Sequence, residues 1–341
     1  MKTIKQASLL VCICIVFISC RQKQLTFDRI SGYAQGSTYN IIFENGKKID
    51  PAELKNKVDK IFHDFDKSLS VYDDSSLISK VNRNEDIVLD TFFLEILKRS
   101  NGISAETSGA FDITVGPLVR AWGFGPDAHK NFDVSRLDSI MALIGYEKIL
   151  VKDGHLIKKN PAMNIDVNAI AQGYSADVLY RYFSSLGLRN FLIEIGGEVR
   201  VRGAKNGDGW TIGIDKPEDN NDTPGAKLKA VIKLKDKALA TSGSYRKFYI
   251  ENGVKYSHEI DPKTGYPAKN NLLSVSIIAD ECSTADGLAT ACMVMGVEKT
   301  KKFIKNHTEL EAYLIYSNEK GDYETWATKR LSKNLKENNS D

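Results

Sequence analysis

The sequence predicts an α+β fold, with mixed, largely antiparallel sheets and helices packed on them in one unit. Three observations lead there. Short strand-like runs recur at regular spacing through the second half, at 190–195, 199–203, 210–215, 229–234, 247–251 and 273–278. Helical periodicity alternates with them, most clearly where Leu54, Val58, Ile61, Phe62, Phe65 and Leu69 recur with a 3.6-residue period. No repeat or low-complexity linker divides the chain, and after loss of a leader about 320 residues suffice for one large domain or two fused lobes.

The elements follow in order. Residues 1–19 read as an export signal: Met1-Lys-Thr-Ile-Lys5 is basic, 7–18 is apolar but too short to span a bilayer, and Ser19-Cys20 precedes a polar turn. The small residue before Cys20 makes it similar to a lipoprotein signal, with Cys20 as the lipidated first residue of an exported chain anchored in a bacterial membrane and facing the periplasm. Residues 20–30 are then expected as a tether, 31–331 as the folded domain and 332–341 as a frayed polar tail. A strand is expected at 39–44. Asp50-Pro51-Ala52-Glu53 reads as N-cap, Pro at N1 and capping-box acid of the first helix. Further helices fit 92–105, 137–144, 170–186 and 284–295, a strand fits 164–166, and 216–227 reads as a surface loop.

Charge and cysteines exclude some functions. The chain has 47 Lys and Arg against 44 Asp and Glu. Losing Lys2 and Lys5 with the leader leaves a net charge of about +1, which gives no electrostatic basis for nucleic-acid binding. Of five cysteines, Cys12 and Cys14 fall in the leader and Cys20 at its end. Cys282 and Cys292, if on one helix, lie roughly 15 Å apart at 1.5 Å per residue, too far for a disulfide.

Five segments carry chemistry. Asp286 and Thr290 are four apart in a helical stretch, so a carboxylate and a hydroxyl share one face. That is a sparse all-oxygen half-site for a hard cation such as Mg²⁺, which takes few protein ligands and fills the rest with water and phosphate; the same pair also fits a cap and a solvated face. Ser108-Gly-Ala-Phe-Asp112 through Trp122-Gly-Phe-Gly-Pro126 sets aromatics among glycines, suited to a flat ligand or to an irregular core-lining loop. Asp166-Val-Asn-Ala169-Ile-Ala-Gln172-Gly173-Tyr174-Ser-Ala-Asp177 opens a helix where amides can hold phosphate oxygens, and equally fits an ordinary strand-to-helix turn. Glu194-Ile-Gly196-Gly197-Glu198 closes a strand in a double glycine. In Tyr256-Ser-His258-Glu-Ile-Asp261-Pro-Lys-Thr-Gly265-Tyr-Pro267, an imidazole and a carboxylate flank a turn; such an imidazole is a natural proton acceptor near neutral pH, and equally a common structural residue. No G-x-S-x-G elbow or H-E-x-x-H zinc motif is present.

Together with Ala240-Thr-Ser-Gly243, and in this order, these motifs resemble the ApbE-type periplasmic flavin transferases from about Tyr33 to Met295. The resemblance implies an ApbE/T-fold-like single catalytic unit that is Mg²⁺-dependent and takes FAD as substrate. It implies transfer of FMN to a Ser or Thr hydroxyl of an exported acceptor protein, such as a redox-driven ion pump subunit or a related electron-transfer protein, with release of AMP. Some members chiefly hydrolyse FAD to FMN and AMP, and a non-catalytic flavin-binding lipoprotein is a third reading. By motif, Asp286, Thr290 and the Ala169 carbonyl would hold the metal. Gln35, Tyr72, Ala110, Phe111, Asp112, Asp166, Gln172 and Ile260 would line the FAD site, and His258, with Asp261 beside it, would take the acceptor proton. Tyr72 stands where transferring members carry Tyr and a hydrolysing type carries Asn. Gln172 replaces the usual Lys or Glu, and Gln35 the common Met.

Overall fold

The computed structural model describes residues 25–124, 132–205, 207–218, 225–244, 248–251 and 254–338. The export signal, Cys20, and Gly125-Pro126 of the first aromatic motif lie outside the described residues. In chain order the elements are β1 (Phe27–Ala34), β2 (Ser37–Glu44), α1 (Pro51–Leu69), α2 (Leu77–Asn82), α3 (Thr91–Glu106), α4 (Gly116–Ala121), α5 (Leu137–Met141), β3 (Ile149–Lys152), β4 (His155–Lys158), α6 (Asn168–Ser185), β5 (Phe191–Ile195) and β6 (Glu198–Arg202). There follow β7 (Trp210–Asp215), β8 (Leu228–Leu234), β9 (Ala238–Gly243), β10 (Phe248–Glu251), β11 (Val254–Ser257), β12 (Leu272–Ala279), α7 (Cys282–Met295), α8 (Val297–Asn306), β13 (Glu311–Ser317), β14 (Tyr323–Ala327) and β15 (Lys336–Glu337).

The frame is an eight-stranded antiparallel sheet in the order β1-β2-β5-β6-β9-β12-β13-β14. Its inner strands bury side chains on both faces, with the two-residue alternation that pleating imposes. On β5, Phe191, Ile193 and Ile195 face the helices, whereas Leu192 faces the other way. On β13, Ala312 and Leu314 lie on the helix side, and Tyr313 and Ile315 opposite. The helix side carries α6 and α7, which pack on each other and on the central strands. The opposite face is covered by the three-stranded sheet β15-β8-β7, through Trp210, Ile212, Ile214, Ala230 and Ile232. The result is three layers, with the α6–α7 pair at the centre of one face.

Most expected elements are present within a residue or two. Asp50 caps α1 by accepting from the Ala52 amide (2.9 Å), and of the periodic set only Ile61 is partly exposed. Four boundaries differ. β1 pairs along its whole length with β2, from Phe27 opposite Glu44 to Ala34 opposite Ser37, so the sheet begins inside the expected tether. The expected polar tail is paired as well: Lys336 and Glu337 lie against Val231 and Ala230, and Tyr313 Oη donates to Glu337 (2.9 Å). Residues 164–166 form no strand; Asn164 makes one isolated parallel bridge to Val115. The helix expected at 137–144 stops at Met141, ahead of Gly145 at φ +144°. Cys282 and Cys292 are both free and buried. Among the described residues, no helix is long and apolar enough to cross a membrane.

Candidate active site

The site begins where α6 touches α7 at Gly173. A Cβ there would lie 2.6 Å from the Cys282 carbonyl oxygen and 2.7 Å from Asp286 Cβ, so only glycine permits this approach. The contact lets the Gly173 amide donate to Asp286 Oδ2 (2.9 Å). In a regular helix that amide closes on the carbonyl of Ala169, so the Ala169 carbonyl and the Asp286 carboxylate are directed at one point. Thr290 follows Asp286 by one turn on the same face of α7. The three expected metal ligands are thereby brought to one helix crossing.

α7 is held in place from α6. Its own N-cap residue, Glu281, makes no capping bond. Instead buried Asp177 accepts from the amides of Cys282 and Ser283 (both 2.9 Å) and from Ser283 Oγ (2.7 Å). Arg200 Nη1 stands 3.4 Å from Asp177, and its guanidinium lies over the Tyr180 ring.

Desolvation pushes the Asp286 carboxyl well above the usual carboxylate range, and the nearby charge of Glu198 adds to this against the Gly173 hydrogen bond. A buried carboxyl disfavoured as an anion, ringed by further acids, is an environment that a hard divalent cation relieves. Among the described residues, no three His, Cys, Asp or Glu side chains gather at metal-binding spacing. Asp286, Thr290 and the Ala169 carbonyl would offer one carboxylate, one hydroxyl and one carbonyl, a donor set that fits Mg²⁺.

The double-glycine turn packs directly beside this crossing. Gly196 has φ +64°, and a Cβ on it would strike the Gln172 amide at 2.6 Å. Gln172 Nε2 donates to the carbonyl of Gln35 (3.4 Å), and Ser175 Oγ donates to Gln35 Oε1 (3.1 Å). Gln35 and Gly36 form the β1–β2 hairpin turn, both at positive φ. The two glutamines expected at the FAD site thus meet each other. Tyr72 presents a ring that is 65% exposed. Its phenol is pushed up by burial and by the charge of Asp166, and its hydroxyl meets Asn168. Asp166 in turn accepts from the Asn168 amide (2.9 Å) at the start of α6, where Val167 supplies no side-chain cap.

Residues 108–124 join these parts. Phe111 lies against α7 beside Gly287. The Ile113 carbonyl accepts from the Asp166 amide (2.8 Å). Trp122 Nε1 donates to the Gly265 carbonyl (2.6 Å), and its ring packs on Tyr266. Ala110 and Ile260 are buried, Ile260 in a small core with Leu118 and Trp122. Asp112 is also buried, but its carboxylate is fully engaged: Oδ1 accepts from the Thr114 amide and hydroxyl, and Oδ2 from the Tyr146 amide (2.7–2.8 Å). Its side chain staples the loop, so any contact with ligand falls to the backbone it shapes.

The last part is the 258–268 turn. Asp261, expected beside His258 as its carboxylate partner, is used locally: Oδ1 accepts from the Lys263 amide (2.8 Å), and its carbonyl accepts from Gly265. The carboxylate next to His258 is Glu259 instead, with Oε1 3.5 Å from Nδ1. His258 itself is 35% exposed and meets Phe124 edge-on. Glu259 and Asp177 lie inside motifs of the sequence but receive no role there, since one acid beside a histidine, or one acid in mid-helix, makes no pattern. Gly173 was visible only as a small residue.

This fold and site define a flavin-transferase class of α+β protein. The structure is similar to the solved flavin transferase ApbE from Vibrio cholerae, with a TM-score of 0.81, 32% identity and coverage of 91% of this chain and 99% of that one. It is equally similar to the apo flavinyl transferase ApbE of Pseudomonas stutzeri, with a TM-score of 0.81, 29% identity and coverage of 91% and 97%. The chain belongs to the ApbE family, whose model matches residues 35–314. Curated relatives named FAD:protein FMN transferase include one from Vibrio cholerae serotype O1, 37% identical over 79% of this chain and 82% of its own length. Another, from Haemophilus influenzae, is 32% identical over 94% and 95%.

Proposed function

We propose that this chain is a Mg²⁺-dependent FAD:protein FMN transferase that joins FMN by a phosphoester bond to a Ser or Thr hydroxyl of an exported acceptor and releases AMP. The observation that carries this reading is the junction made by residues 108–124, which tie the Asp286–Gly173 crossing to the His258 turn. Phosphoryl-type transfer asks for little covalent chemistry from a protein and depends on positioning and charge stabilisation. Asp286, Thr290 and the Ala169 carbonyl would hold the metal, which when bound would neutralise charge on the pyrophosphate. His258 takes the proton of the acceptor hydroxyl. The oxygen forms a bond to the FMN phosphorus, the bridging P–O bond breaks, and its electron pair leaves with AMP. The exposed Tyr72 ring and the Gln35–Gln172 pair would bound the flavin nucleotide. Export and lipid anchoring rest on Lys2, Lys5, the apolar run 7–18 and Cys20; Cys20→Ala should move the protein from membrane to soluble fractions.

The test is incubation with FAD, Mg²⁺ and a candidate acceptor domain. Flavin fluorescence on the acceptor in a denaturing gel supports transfer. Free FMN and AMP without labelling would make the protein a hydrolase, and unchanged FAD would make it a flavin binder. Asp286→Ala should abolish Mg²⁺-stimulated turnover; full stimulation in that variant would place the metal elsewhere.

A further inference from the structure

Glu259 is 4% exposed, and neither of its carboxylate oxygens accepts a hydrogen bond among the described residues. A buried carboxyl group left that way costs several kcal/mol and is rarely kept without a function. Its backbone explains how it is held there. The Glu259 carbonyl accepts from the Ala268 amide (2.8 Å), and the next residue bridges to Pro267. The turn beyond is closed by Asp261 and fastened by Trp122. The side chain is thus directed inward by fixed main chain, with its Oε1 3.5 Å from His258 Nδ1. That separation lies just beyond a normal hydrogen bond, and such contacts in ligand-free sites commonly tighten once substrate is bound.

We propose that Glu259 is a positioning residue for His258: it accepts the Nδ1–H, fixes the ring and its tautomer, and so leaves Nε2 unprotonated toward the acceptor hydroxyl. An imidazole has one basic nitrogen, and which one is decided by what the other nitrogen bonds. A buried carboxylate at Nδ1 therefore leaves the lone pair on Nε2, the nitrogen at the far side of the partly exposed ring. Asp261, by contrast, has one carboxylate oxygen engaged by the Lys263 amide of its own turn. This inference rests on the reading of His258 as the proton acceptor.

The experiment uses the full-length chain in detergent, ¹⁵N-labelled at histidine. The chain has five histidines, and the His258 signals are assigned by their loss in His258→Gln. Wild type should show His258 as the Nδ1–H tautomer. Glu259→Gln, whose amide can donate as well as accept, should give a mixture of tautomers. It should lower kcat for acceptor labelling about 10- to 10²-fold, with KM for FAD within about twofold of wild type. Because the carboxyl group is buried and accepts no hydrogen bond among the described residues, the variant should melt at the same or a higher temperature. Glu259→Asp should recover part of the rate.

A lower melting temperature with an unchanged tautomer would make Glu259 merely structural and overturn the proposal, as would an unchanged kcat. Should Glu259→Gln fail to fold, the wild-type spectrum still decides, since a His258 carrying its proton on Nε2 excludes the arrangement. His258→Ala separates the two readings. A labelling rate unchanged in that variant removes His258 as the base, whatever the tautomer shows. A fall of roughly 10² to 10⁴ keeps it.

Discussion

The two halves of the site are built differently. The Asp286 half lies on α6 and α7, long helices packed into the main core and locked by a glycine contact and a buried cap. The His258 half lies on a turn, closed by its own short bonds and fastened to the rest through Trp122. The groups proposed to hold a metal thus sit on rigid elements, while the group proposed to meet the acceptor protein sits partly exposed on a loop. Substitutions in the helical half should cost stability and activity together. Those in the turn should cost activity with little change in stability.

The largest expected effect tests the helical half. Asp177→Ala removes three hydrogen bonds from the start of α7 and leaves the mostly covered Arg200 without the buried carboxylate it faces. Breaking a buried pair from one side costs about 3–5 kcal/mol, so the melting temperature should fall by roughly 10 °C. A fall within 2 °C would show that α7 is held by packing alone. Next is Gly173→Ala, whose methyl has no room against the Cys282 carbonyl oxygen, which is backbone and cannot rotate away. Overpacking costs about 1–3 kcal/mol, and α7 must shift, taking Asp286 with it. Thermal melting and Mg²⁺-stimulated turnover should fall together. Loss of either alone would break the link between fold and metal half.

The same division decides what could be read from the sequence. α1 was legible because its apolar period and its cap are local, within Asp50–Leu69. Strands β2, β5, β6 and β12 are legible as strand-like runs, but β9 is not, and neither is the order, since pairs such as β2 with β5 join residues far apart in the chain. β1 was missed because Arg29, Ser31 and Gly32 interrupt its apolar pattern, and its pairing with β2 overrides that. α8 was missed because lysines dominate it, although Val297, Thr300 and Ile304 mark a buried stripe at helical spacing. At the site, Asp286, Thr290 and His258 stand out by residue type within their motifs, whereas the burial of Glu259 and the cap that Asp177 gives to Cys282 and Ser283 come only with folding.

A smaller effect should appear in the turn. Trp122→Phe keeps an aromatic ring but removes the Nε1–H bond to the Gly265 carbonyl. The loss is about 1 kcal/mol of stability, too little to unfold the protein but enough to loosen the 258–268 turn. Acceptor labelling should fall several-fold while Mg²⁺ stimulation of the remaining turnover is unchanged. A melting temperature lowered as far as in Asp177→Ala would mean that the turn is part of the core.

The smallest effect sharpens the comparison within α7 itself. Glu281 and Asp177 both stand at its N-terminus, but Glu281 is partly exposed and pairs with Arg99, which also donates to Ser283 (2.9 Å). The Arg99 hydrogen bond holds the Glu281 carboxyl below the usual carboxylate range, against some desolvation. A carboxyl whose folded pKa is depressed adds stability that is present above its unfolded value, about 4.3, and is lost as the pH falls through the folded value. Solvent screening keeps that contribution below about 1 kcal/mol. Glu281→Gln should therefore melt slightly below wild type at neutral pH, and the gap should close below about pH 4. High salt should shrink the gap as well. A gap that persists in acid would mean that Glu281 supports α7 through packing, and the contrast between a buried cap and a screened ion pair at one helix end would fail.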